Sequence, residues 1–259
     1  MNALLDAGMQ AMREMRREDA EHAFREALEQ AKGDERAHAR ALARLLYALA
    51  SQGRAHELAR TIGDAVRASD AGGRDEIARL ILSSCLLRFV PLDHAQLPRM
   101  LAIFVRKAAA FPDDLDVARA AREVAIVIGG RRDYATAVRL LEAAVRVLGA
   151  EPAEYAMALF NLADARAALA GRYDAAIPEL RRVIALQEAA LAPRHFEKVM
   201  PLATLGLALA AKGEVAEAKS SLERALHIAV AVEGEEGRTP ERIRAELHKL
   251  ASRVPRVKL

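Results

Sequence analysis

Residues 202–226 read LATLGLALAAKGEVAEAKSSLERAL, and their spacing decides the fold. Leu202, Leu205 and Leu209 recur at three- and four-residue steps, the period of an apolar helix stripe. Gly213 interrupts the pattern, and Ala218, Leu222 and Ala225 resume it. Two helices that cross at about 8–10 Å need a small residue at the crossing and a large one in the adjoining groove. A glycine at the break supplies the left-handed backbone that lets the chain reverse. The stretch is therefore expected to fold as an antiparallel helix pair, with Val215 just after the turn plugging the corner.

The same small–large–small order recurs outward from this segment. Ala20, Phe24 and Ala27 repeat it, as do Ala137, Leu141 and Ala144, then Ala176, Leu180 and Val183. The step from Ala137 to Ala176 is 39 residues and from Ala176 to Ala218 it is 42. Elsewhere, 39–50 (ARALARLLYALA) and 135–148 (ATAVRLLEAAVRVL) carry helical period and strong helix formers, and no run alternates like a strand. Gly33, Gly53, Gly171 and Gly213 punctuate the pattern, with Tyr173 expected to plug the corner after Gly171 as Val215 does after Gly213. The expectation is an all-α chain of about six antiparallel helix pairs over 1–32, 36–70, 74–112, 115–150, 152–192 and 196–235. A final capping helix over 239–253 is expected to start at Thr239 with Pro240 in its first turn. The whole reads as one domain, 1–259.

Composition agrees. The 259 residues are 53% apolar and 29% charged, enough to bury a core, which excludes extended disorder. The lone Cys85 excludes a disulfide framework and fits a reducing, cytoplasmic setting. The opening residues read as helix rather than leader peptide, and charges break every apolar run far short of the ~20 residues of a membrane span. A net charge of +3 comes from 39 basic and 36 acidic residues with their signs interspersed. That pattern favours a solvated surface over a phosphate-binding stripe.

The constellation of residues 202–226 resembles the tetratricopeptide repeat family, whose unit is about 34 residues with this signature. The first copy has Leu4, Gly8, Ala20, Phe24 and Ala27, a weaker copy covers 39–66, and 118–145 and 158–184 are good copies. The C-terminal half is more specifically similar to the 42-residue repeats of kinesin light chains. Residues 191–195 (LAPRH) stand where those repeats have a linker ending in His, Pro178 falls early in a second helix, and 161–163 read Asn-Leu-Ala. The resemblance implies a right-handed superhelical solenoid whose first helices line a concave groove, and a part in a bacterial-type signalling or regulatory system. It also places ligand-facing positions at Met9, Met12 and Arg13, at Arg40 and Tyr47, and at Arg119, Arg122 and Ile126. In the C-terminal half they fall at Met157, Phe160, Asn161 and Asp164. Ala43 and Tyr47 replace the clamp by which co-chaperone repeats hold a C-terminal carboxylate, so that ligand is disfavoured. The implied partner is a protein or peptide with acidic and apolar side chains, held by arginine and by adaptable methionine. Charge reversal at Arg119 and Arg122 is the expected way to disable the groove.

Chemistry is otherwise thin. The seven histidines show no metal-ligand spacing, no phosphate-binding glycine loop occurs, and Ser83, Ser84 and Cys85 lie inside an apolar helix without a basic partner. No catalytic residue, cofactor or metal is expected, so the chain reads as a non-enzyme. Alternatives are a nucleic-acid binder with an Arg-lined groove, or a structural subunit that self-associates. The third pair, 74–111, lacks the repeat signature and is very apolar; it reads as a degenerate repeat buried by its neighbours, or else as an interface.

Overall fold

A computed structural model describes residues 2–14, 16–70, 75–193 and 195–253, without the side chains of Arg13, Ser69, Asp70 and Arg253. The described residues are all-α. They form α1 (Asn2–Arg13), α2 (Arg17–Gln30), α3 (Glu35–Ser51), α4 (Ala55–Asp70), α5 (Glu76–Leu87), α6 (Leu97–Ala108), α7 (Leu115–Gly130) and α8 (Tyr134–Val147). Then come α9 (Pro152–Ala170), α10 (Ile177–Ala190), α11 (Val199–Lys212), α12 (Val215–Glu233) and α13 (Arg238–Arg253). Each odd-numbered helix from α1 to α11 packs on its successor, giving six helix pairs and a final helix. Residue 74, where the third pair was expected to open, lies outside the described residues.

The helix boundaries follow local chemistry. Asp34, Asp75 and Asp114 cap α3, α5 and α7, each accepting from backbone N–H groups of the first turn, and Asp133 does the same for α8. Gly171 and Gly213 end α9 and α11 at φ values of 65° and 90°. All twelve residues of the small–large–small signature are buried, none more than 5% exposed. A Cβ on Gly206 would stand 2.7 Å from Leu222 Cγ, and one on Gly8 would run into the Phe24 ring. The glycine is the notch that the repeat's large residue fills.

The chain divides into two compact units, Met1–Leu148 and Gly149–Leu259. In the first, α3 packs on α5 and α5 on α7, so these first helices lie side by side, with α2, α4 and α6 packed against them from the second layer. Phe24, Leu45, Ala48 and Leu49 belong to its core. In the second, α10 packs on α9 and α11, and α12 on α11 and α13, around Leu180, Leu202, Leu209 and Leu222.

Three local expectations need correction. Tyr173 is 45% exposed rather than a corner plug, because the chain makes a 3-10 turn over Tyr173–Ala176 before α10 begins. Thr239 is not the N-cap of α13, which begins at Arg238; its hydroxyl and N–H both donate to the Glu233 carboxylate instead. The third pair is split in character. Its α5 is core, with Ile77, Leu80, Ile81, Leu82 and Leu87 buried between α3 and α7, whereas α6 buries only a narrow stripe of Leu97, Leu101, Phe104 and Ala108.

Candidate functional site

In the first unit, the exposed face of α3, α5 and α7 is built of cross-helix ion pairs. At the N-terminal ends, Arg36 donates from Nε to Asp75 and from Nη1 to Asp114, each at 3.1 Å, tying α3 to the caps of α5 and α7 at once. One turn on, Arg40 grips the buried Asp116 of α7, with Nε 3.0 and 2.9 Å from its two oxygens. Arg119 approaches the same carboxylate at 3.5 Å. At the C-terminal ends, Arg88 lies 5.9 Å from the centre of the Tyr47 ring and pairs with Glu123, which also holds Arg122 at 2.7 Å.

These pairs are electrostatically settled. Burial works to raise the Asp75 carboxyl, but the bonds from Arg36, Ala78 and Ile77 hold it below its ordinary value. Burial likewise opposes ionisation of Glu123, and Arg122, Arg88 and Arg44 overcome it. The Arg36 guanidinium is held charged chiefly by Asp75. Beneath this surface Cys85 donates its thiol to the Ala43 carbonyl at 3.6 Å, and burial pushes the thiol up to about 12. Ser84 donates to Ile81 O.

The structure thus brings Arg40, Tyr47, Arg119, Arg122 and Ile126 onto the α3–α5–α7 face. Tyr47 and Ile126 stand out at 49% and 44% exposure, whereas Arg122 is largely buried with no acceptor for its Nε. The arginines expected to read a ligand are engaged with their own acids. Met9 and Met12 are half-buried and pack against the core around Phe24, because they lie on the flank of α1 that faces α2 and α3. The Arg13 side chain lies outside the described residues.

In the second unit, Phe160 is buried and Met157 is half-buried, its sulfur accepting from Gln187 Nε2 at 3.4 Å. The Asn161 amide nitrogen is buried without a partner. Asp164 is the exposed member, although partial burial lifts its carboxyl above the ordinary value. Near the linker, His195 is buried and its Nδ1 accepts from the Glu197 backbone, a structural bond that caps the turn Phe196–Lys198. Lys198 donates to the Leu191 carbonyl at 3.1 Å, and burial lowers its pKa.

Sequence reasoning missed Arg36, Arg88, Asp116 and Glu123, which organise the face. A signal was present in the Asp34, Asp75 and Asp114 caps, which recur at the repeat interval and mark where the first helices start in parallel. Among the described residues no three His, Cys, Asp or Glu side chains gather to hold a metal, and no helix is long and apolar enough to cross a membrane.

Paired helices, the glycine notch and a layer of parallel first helices define a class: an all-α protein of tetratricopeptide-like repeats. A solved structure agrees on the fold. BtubC (BKLC) from P. vanneervenii superposes with a TM-score of 0.59 at 17% identity, covering 90% of this chain and 93% of that one. The TPR2AB domain of yeast Sti1, solved with pHSP90, is also similar, at 17% identity over 96% of this chain and 98% of its own, with a TM-score of 0.42. Neither a protein-family model nor a curated protein sequence matches this chain.

Proposed function

We propose that residues 1–259 act as a non-catalytic adaptor in a reducing, cytoplasmic setting, capturing a protein or peptide on the first-helix face. Tyr47 and Ile126 are the observation that carries this reading. Two large apolar side chains stand exposed at the C-terminal ends of α3 and α7, on a face that also carries the ion pairs of Arg88, Arg119 and Arg122. Apolar anchors ringed by polar contacts are what an interaction hot spot requires. The partner supplies apolar side chains for these two and carboxylates that exchange into the pairs of Arg88, Arg119 and Arg122. In the second unit, taken by itself, Asp164 and Met157 are the proposed contact positions on α9. The regulatory setting suggested by the resemblance belongs to the same proposal.

The burial of Arg122 changes how this is tested. Reversing its charge beside Glu123 perturbs the fold as well as binding, so Tyr47→Ala with Ile126→Asp is the cleaner variant. Affinity capture from native lysate is expected to lose its partner with that double variant while helicity by circular dichroism stays unchanged. Full capture by the double variant would sink the assignment. Heparin retention that falls steeply with salt would replace it with nucleic-acid binding.

A further inference from the structure

The outward face of α6 departs from every other second helix. With 3.6 residues per turn, its buried residues Leu97, Leu101, Phe104 and Ala108 form one stripe. Arg99, Ile103 and Arg106 fall within about 60° of one another on the opposite side. Ile103 and Met100 are each 38% exposed. The second helices α2, α4, α8, α10 and α12 all carry acidic residues among their basic ones, whereas α6 carries none. Lys107 is neutralised by Glu76 of α5 at 2.8 Å, while Arg99 and Arg106 are exposed and have no ion pair among the described residues. On a helix with no acid of its own, two exposed arginines stand without an ion pair among the described residues, one turn to either side of an exposed isoleucine.

We propose that this face docks an acidic amphipathic helix of a partner protein. Charge complementarity selects that occupant. A carboxylate one turn to each side of an apolar residue meets Arg99 and Arg106 while the apolar residue meets Ile103 and Met100, the spacing that helix–helix packing provides. A second copy of the chain would set the same uncompensated arginines against each other, which like-charge apposition penalises. An anionic bilayer needs a broad apolar face to insert, and α6 has turned its leucines and phenylalanine inward, leaving only two large apolar side chains outside. The surface is separate from the first-helix face.

The test uses the full chain and a synthetic helix of about 18 residues (five turns) with one leucine stripe flanked by glutamates. Fluorescence anisotropy is expected to show binding that weakens about tenfold with Arg99→Glu plus Arg106→Glu, and similarly with Ile103→Asp. Arg139→Glu on the outer side of α8 and Tyr47→Ala with Ile126→Asp are expected to leave it unchanged. The last control separates this surface from the one proposed above. The proposal is overturned if the acidic helix does not bind, if a lysine-flanked version binds equally, or if the α6 variants bind like the parent. It is also overturned if the chain cosediments with phosphatidylserine vesicles through Arg99 and Arg106, or self-associates in light scattering in a way Ile103→Asp abolishes.

Discussion

Gly206 and Gly213 sit seven positions apart in one helix pair and are required for different reasons. Gly206 lacks room: an added Cβ meets Leu222 Cγ at 2.7 Å and the Ala218 carbonyl at 3.1 Å. Gly213 has open space around it but a φ of 90°. Gly206→Ala is therefore an overpacking change, expected to cost about 1–3 kcal/mol in urea denaturation. Gly213→Ala is a backbone change worth about 1–2 kcal/mol. Asparagine, which tolerates the left-handed region, is expected to recover stability at 213 and not at 206, and equal recovery at both would refute the distinction. Cys85 is a probe of the other unit. With its thiol pushed up to about 12, the native thiolate fraction at pH 8 lies on the order of a thousandfold below that of a free cysteine. Iodoacetamide labelling is expected to be correspondingly slow and to accelerate with denaturant; fast labelling of native protein would show that the α3–α5 contact opens readily.

Asp116 lies on α7 and its principal partner Arg40 on α3, 76 positions earlier in the chain. Asp116 is only 5% exposed as a side chain, so removing Arg40 strands a buried carboxylate, with Arg119 at 3.5 Å as a partial substitute. Arg40→Gln is expected to destabilise by about 1–3 kcal/mol, the cost of an uncompensated buried acceptor. Adding Asp116→Asn should return part of that loss, with a coupling of about 0.5–3 kcal/mol in the cycle. Strict additivity would mean that the pair is idle. This contact also marks how far the sequence could be read. Helix pairs were legible because each is a local pattern of small, large and turn residues within about 34 positions. The third pair's core helix was legible from apolarity alone. Contacts between first helices of different pairs were not, because register across α3, α5 and α7 is set by packing. That is why Arg40 reads from sequence as a ligand-facing cation and proves to be paired within the fold. Met9 and Met12 read as open surface for the same reason: helical period gives a face, and only the neighbouring helices decide whether that face is covered.

Acid titration separates the two units. In Met1–Leu148, Asp75, Glu76 and Glu123 are all held below their ordinary values: Glu76 by Lys107 and Arg79, the other two by arginines that overcome burial. A carboxyl with a depressed folded-state value contributes stability that is complete at neutral pH and drains away as pH falls, because the unfolded chain takes up the proton first. In Gly149–Leu259 the depressed carboxyls are tied to surface partners, Asp174 to Arg172 and Glu214 to Lys212 and Arg181, contacts that water screens. Asp164 has the opposite sign, raised by burial, so it opposes folding while charged and that penalty is relieved on acidification. Each unit has its own buried core, so residues 1–148 and 149–259 prepared separately are expected to be helical and to unfold cooperatively. Between pH 7 and pH about 4, near the ordinary carboxylate values, the urea midpoint of 1–148 is expected to fall by more than that of 149–259. Equal shifts would show that the cross-helix pairs of α3, α5 and α7 do not hold the first unit together, and the ion-paired face would then be a consequence of the packing rather than one of its causes.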